Sequence, residues 1–262
     1  MLGKLMKYEF MATGRVFLPL FAALLIISVV NRILSSFQLG TPMAIGIIIA
    51  VILIVGIFVL TFIFTIQRFR QNLLSEEGYL MMTLPLRTDS LILSKLFVSA
   101  VWAAASFVIV VIAIMVMAMT GYDFSDLARI LRDFFAAVAL EASQFVVYVI
   151  EALIFIIISI FSSILLLYAC ISLSMLVNRH RGLFSFGAFI VITTALQIIG
   201  SVFVAIGAAI TMPGGLNRLF NSMSAFGISQ IVIAVVVLTE IILCAIYYFI
   251  TRHMLKNKLN LQ

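Results

Sequence analysis

The chain has 262 residues, of which 65% are hydrophobic and only 10% charged, with a mean hydropathy of +1.31. These values exclude a water-soluble globular domain and describe a protein whose solvent is mostly lipid. At about 20 residues per crossing the length holds roughly six transmembrane helices with short connections, and the net charge of +6 is read as contact with anionic headgroups rather than with nucleic acid.

In chain order, LGKLMKYEFMATGR places Leu2, Leu5, Met6 and Phe10 at helical spacing, which predicts an interfacial amphipathic helix over residues 1–15. The apolar run that follows is too long for the core of a cleaved leader and no small-residue cleavage site succeeds it, so the N-terminus is expected to stay attached. The first span is predicted from Val16 to Leu34, with Arg32 snorkelling to the far interface. Thr41–Pro42 signals a helix start for an uncharged second span, Met43 to Ile66. A polar island, Gln67 to Lys95, precedes the third span, Leu96 to Met119. Residues 120–144 form an outer segment, in which Leu127, Ile130, Leu131, Phe134 and Val138 oppose Asp126, Arg129 and Asp133; the spacing predicts an amphipathic helix along the interface. The fourth span is predicted from Ala152 to Val177 and the fifth from Leu183 to Ile210, joined by a basic turn. Pro213, Gly214 and Gly215 break the helix, and LNRLFNSMSAFG is too short and polar to cross, giving an outer loop or re-entrant helix. The sixth span runs from Ile228 to Ile250 and ends on the basic tail Arg252, Lys256 and Lys258. The expected fold is therefore all-α, a polytopic membrane protein forming one transmembrane domain over 1–262.

The positive-inside rule counts Lys and Arg on each side. Six spans put both termini on one side, with Lys4, Lys7, Arg15, Arg68, Arg70, Arg87, Lys95, Arg179, Arg181, Arg252, Lys256 and Lys258, twelve of the sixteen basic residues. The other side holds Arg32, Arg129, Arg132 and Arg218 together with Asp123, Asp126, Asp133, Glu141 and Glu151. Both termini and the island are expected in the cytosol.

Chemistry of the chain's own is not expected. No glycine opens a phosphate-binding loop of the G-x-x-x-x-G-K-[ST] type. Glu76–Glu77 resembles the start of the EExxxR motif of CAAX-type membrane proteases, but Met81 stands where the arginine belongs and the pair lies outside the apolar spans. His180 and His253 sit at helix ends, and Cys170 and Cys244 lie inside apolar runs, so neither a metal site nor a disulfide is expected. Glu240 stands near the middle of the sixth span, with about ten apolar residues on either side. A carboxyl at that depth pairs, stays protonated or faces a polar cavity. One reading makes it a proton-coupling or pathway residue; the other, favoured, has it hydrogen-bonded to a neighbouring helix through Gln197, Thr193 or Ser172.

The island has readable punctuation. Ser75 ahead of Glu76 and Glu77 is a hydroxyl cap with acids in the first turn, and Leu84–Pro85 a stop. A helix of about two turns results, carrying Glu76, Glu77, Gly78, Tyr79, Leu80, Met81, Met82 and Thr83, an aromatic and soft apolar cluster suited to a partner surface. Thr88–Asp89 then caps the next helix. A helix held between two spans is a lever, because a partner that grips it tilts both.

The run EGYLMMTLPLRTDSLILSK resembles the loop between the second and third spans of permease subunits of type-2 ABC exporters, with its short coupling helix, TLP and Ser–Lys pair. KLMKYEF and the span after it are similar to the start of the same permeases, especially the small ones of Gram-positive bacteria. The resemblance implies a bacterial cytoplasmic membrane, a separate ABC ATPase that holds ATP and Mg and docks on Glu76 to Thr83, an interfacial connecting helix over Leu2 to Arg15, and a second permease subunit, identical or not. It also implies export of cargo, for which an apolar interior suits an amphipathic or hydrophobic peptide, toxin or drug. The longer outer segment precedes the fourth span here, whereas the family often places it between the last two. Candidate pathway or buried polar residues are Glu240, Arg32 and Glu151. The rival functions are a proton-coupled carrier using Glu240 and a non-transporting immunity or anchor protein.

Overall fold

The computed structural model describes residues 2–37, 40–74, 88–118, 129, 132–133, 136, 142–177, 181–211 and 224–257. Its elements are six long helices: α1 (Leu2–Ser36), α2 (Gly40–Leu74), α3 (Thr88–Ala118), α4 (Ala142–Leu173, continued by a 3-10 turn, Ser174–Leu176), α5 (Arg181–Thr211) and α6 (Ala225–Asn257). There is no strand among the described residues. Each helix is long and apolar enough to cross a membrane, so by length and composition the chain is a multi-pass membrane protein. Hydroxyls inside the helices are satisfied internally: Ser28, Thr65, Ser172 and Thr251 each donate to the carbonyl four residues back, at 2.7–2.8 Å.

Several boundaries differ from the sequence reading, each for a physical reason. The N-terminal segment is not a separate element; α1 runs unbroken through Gly14 and Pro19. One glycine costs little, and a lone proline removes one backbone bond that a packed membrane helix tolerates. The second helix continues eight residues past Ile66 and takes Arg68 and Arg70 of the island into its last turns. The third starts at Thr88, with Asp89 in its first turn, as the capping signal indicates. The fourth begins at Ala142, ten residues early, and so includes Glu151. Arg252 and Lys256 belong to α6 rather than to a tail. The coupling helix at 76–83, the outer loop at 213–223 and Lys258 lie outside the described residues, as does most of the outer segment; within it Arg129, Arg132, Asp133 and Ala136 are helical and exposed.

The chain divides into two compact units, Met1–Phe145 and Val146–Gln262. In the first, α1 packs against both α2 and α3, and those two against each other. Its core is formed by Phe17, Phe21 and Leu24 from α1, Ile57 from α2, and Val98, Trp102, Val110 and Ala113 from α3. Near the other end of α1 and the start of α2, the Asn31 side chain lies so close to Gly46 that a Cβ there would overlap it. In the second unit, α4 carries most of the buried residues, including Tyr168, Ala169, Cys170 and Ser172, and α6 adds Tyr247, Thr251 and Leu255.

Candidate functional site

Three polar stripes converge where α1, α2 and α3 meet, at the end of the first unit from which residues 75–87 depart. Glu9, Thr13 and Phe17 recur at intervals of four on α1; Thr61, Thr65 and Arg68 do so at four and three on α2; Lys95, Ser99 and Trp102 at four and three on α3. Those spacings put each set on one helical face. Lys95 Nζ donates to Glu9 Oε1 at 2.5 Å, with the lysine side chain 2% exposed and the glutamate 11%. This is a buried ion pair between residues 86 positions apart. It fixes the N-terminal helix to the first two turns after the polar loop.

Directly above the pair, Trp102 stacks on Phe10 (ring centres 4.8 Å apart) and on Phe17 (5.0 Å). Gly14 lies between those two phenylalanines on the same face of α1, and a Cβ there would stand 3.4 Å from the indole. A methyl group at that position would make an ordinary van der Waals contact with the ring. Phe64 of α2 completes the aromatic group against Phe17 at 5.5 Å. Deeper still, Thr61 and Ser106 share a hydrogen bond of 3.1 Å between α2 and α3.

The stripes line a small, partly open cavity of about 20 Å³, bounded by Glu9, Thr13, Phe17, Thr61, Phe64, Thr65, Arg68, Val98, Ser99 and Trp102. That is room for about one water molecule. The Trp102 Nε1–H is buried without a hydrogen-bond acceptor.

A second polar group lies in the other unit, between the starts of α4 and α6. Gln230 Nε2 donates to Glu151 Oε2 at 3.1 Å, and Tyr148 and Ser229 share a 2.6 Å hydrogen bond, with Phe226 edge-on to the tyrosine. All four polar residues are half-buried. This arrangement explains why α4 begins early, because a carboxylate that has an amide partner can be held within a helix that the sequence alone would end before it.

No protein-family model matches the chain, and neither a curated protein nor a solved structure does.

Of the residues singled out from sequence, Glu151 joins the Gln230 pair. Glu240 is half-buried on α6, ten residues or about 15 Å of helix beyond Gln230, so the two carboxyls do not form one cluster. No hydrogen bond or ion pair reaches Glu240 among the described residues. The hydroxyls expected to serve it are engaged elsewhere, Ser172 on the Tyr168 carbonyl and Thr193 on that of Phe189. Its neighbours along the helix are Cys244 and Tyr247. Arg32 is half-buried beside the buried Asn31, whose amide has no partner. Glu76 to Thr83 fall outside the described residues, and no group of three metal-ligating side chains occurs among those described.

Sequence reading did not single out Glu9, Thr13, Arg68 or Trp102. The available signal was the repetition of a polar residue every three or four positions in otherwise apolar helices, together with the single tryptophan of the chain.

Proposed function

We propose that the chain is the permease subunit of an ATP-driven exporter of the type-2 ABC kind, and that it moves an amphipathic or hydrophobic cargo such as a peptide, toxin or drug. In this reading it lies in a bacterial cytoplasmic membrane with both termini in the cytosol. A separate ATPase, which holds ATP and Mg, docks on Glu76 to Thr83, and a second permease subunit completes the pathway. The chain itself catalyses nothing. Six apolar helices fit this reading, as does the composition of the island, whose Tyr79, Leu80, Met81 and Met82 offer a partner an apolar grip.

The observation that carries the proposal is the Glu9–Lys95 pair. A loop that receives force needs a rigid connection to the helices it moves. Lys95 lies two turns after the loop and is anchored in the body of the first unit by a buried charge and, seven residues on, by a stacked indole. Co-purification with an ATPase encoded beside this chain tests the proposal. Tyr79→Asp with Met82→Asp should abolish assembly and permease-stimulated ATP hydrolysis; unchanged assembly and hydrolysis would refute docking at this helix.

A second reading is supported by Glu240, whose carboxyl has no hydrogen bond or ion pair among the described residues although it lies within a membrane-length helix. Such a group suits a proton-coupled carrier. Transport that survives ATP depletion and disappears in Glu240→Gln would establish that reading in place of the first.

A further inference from the structure

One side of α5 is polar where lipid would require it to be apolar. Of the α5 side chains described, over 182–203, none is buried, and the helix packs on the 3-10 turn Ser174–Leu176. Ser185, Phe189, Ile192 and Leu196 are half-buried and form its inner row. At about 100° per residue the opposite side carries Leu183, Gly187, Ile190, Thr194, Gln197 and Ser201, repeating at intervals of four and three. Thr194, Gln197 and Ser201 are exposed, and a Cβ on Gly187 would meet nothing within 4 Å. Ser201 donates its proton to the Ile198 carbonyl at 2.8 Å, whereas Thr194 and Gln197 have no hydrogen bond among the described residues.

Gln197 decides what covers this row. It stands sixteen residues after Arg181 and fourteen before Thr211, about 20 Å of helix from the nearer end, which its side chain cannot bridge to reach water. Its carboxamide brings two donors and an acceptor into hydrocarbon, where lipid tails offer no partner and an unsatisfied polar group is costly. A row that repeats at three and four is the seam of two helices crossing at about 20°, and small or hydroxyl side chains along it let the backbones approach. A second copy of the chain lies in the bilayer with the same orientation, so its α5 brings the same row at the same depth. Around a twofold axis along the membrane normal, Gln197 meets its own counterpart, and because a carboxamide both donates and accepts, each satisfies the other. A different partner would need a matching polar group at that depth; a second copy has one by symmetry. We propose that this row of α5 is the contact between two copies of the chain, closed by a reciprocal Gln197 hydrogen bond with Thr194 and Ser201 one turn to either side. The contact requires neither an ATPase nor a cargo, so it stands apart from the export reading.

Cysteine cross-linking of the full chain in native membranes tests the contact, with Cys170 and Cys244 left in place as background. Under a thiol oxidant, Thr194→Cys and Ser201→Cys should each give a disulfide-linked dimer of twice the 28.9 kDa chain mass, because helices about 8–10 Å apart bring Cα atoms on the seam within about 7 Å. The unaltered chain and Ile192→Cys, on the half-buried row, should not. Equal linkage through Ile192→Cys, or linkage through neither Thr194→Cys nor Ser201→Cys, would overturn the contact; linkage to a different protein would overturn the second copy as its occupant. Energy transfer between donor-tagged and acceptor-tagged copies in liposomes then measures the association. Gln197→Leu should weaken it about three- to tenfold, as expected for one or two hydrogen bonds between membrane helices, and Gln197→Asn should keep most of it. Leucine on an exposed row of a membrane helix does not threaten the fold, so a loss reads as lost association. Undiminished association in Gln197→Leu would overturn the reciprocal hydrogen bond.

Discussion

Replacing Glu9 by leucine removes the carboxylate that Lys95 Nζ meets at 2.5 Å, and it does so where water cannot substitute, since the lysine is 2% exposed. Two unit charges about 4 Å apart attract by about 4 kcal/mol at an effective dielectric constant of about 20. Breaking one side of a buried pair costs about 3–5 kcal/mol because the partner's charge is left desolvated. The two sides are unequal. Glu9 is 11% exposed, so after Lys95→Leu its carboxylate can recover some hydration, whereas the deeper lysine cannot. Glu9→Leu should therefore cost about 3–5 kcal/mol and Lys95→Leu less. The double variant, with an apolar pair of similar volume, should be more stable than Glu9→Leu alone.

Thermal unfolding of the detergent-solubilised chain at one scan rate measures this order. At about 2–4 °C per kcal/mol for a chain of this size class, Glu9→Leu should unfold roughly 10 °C earlier, with the double variant recovering part of the loss. Additive single effects would refute the pairing as an energetic unit. A larger loss in Lys95→Leu than in Glu9→Leu would refute the argument from depth.

Other outcomes follow from single contacts. Gly46→Ala should cost about 1–3 kcal/mol through overpacking, because a Cβ there meets the Asn31 side chain; Asn31→Ala in the same chain should restore stability in the thermal assay. Glu151→Gln should be nearly neutral, since an amide oxygen still accepts from Gln230, while Glu151→Leu should cost about 1–2 kcal/mol by leaving that amide without its acceptor. Thr61→Val removes the hydroxyl shared with Ser106 and should cost only about 0.6 kcal/mol, the average for such bonds between membrane helices. A loss as large as that of Glu9→Leu would show that Thr61 does more than bridge two helices.

The helices were legible because their signal is a composition sustained over many residues, and the helix start at Thr88, with Asp89 in the first turn, was legible because its signal is local. Boundaries set by tertiary partners were not. Ala152 looks like a start of the fourth span only while Glu151 is considered alone; Gln230, on another helix, makes the earlier start at Ala142 acceptable. The interfacial helix was expected to end at Arg15, yet nothing there breaks a helix, and α1 continues. Glu9 reads in sequence as one charge in a mixed, amphipathic stretch. Its burial depends on Lys95, and a pairing across 86 positions leaves no trace in either local pattern.

That pairing changes which helices the polar loop can act on. From sequence, a partner gripping residues 76–83 would tilt only the helices the loop joins, α2 and α3. In the structure α3 holds α1 at two levels, the ion pair at Lys95 and the indole at Trp102 seven residues on, about 10 Å along the helix. One contact would act as a pivot. Two at that separation resist both rotation and tilt, so a displacement of the turns that follow Thr88 carries α1 with it. On the export reading, α1 is then a driven element, and Lys95→Leu should lower permease-stimulated ATP hydrolysis while assembly through Tyr79 and Met82 persists. Loss of assembly together with hydrolysis would instead place Lys95 in the folding of the first unit alone.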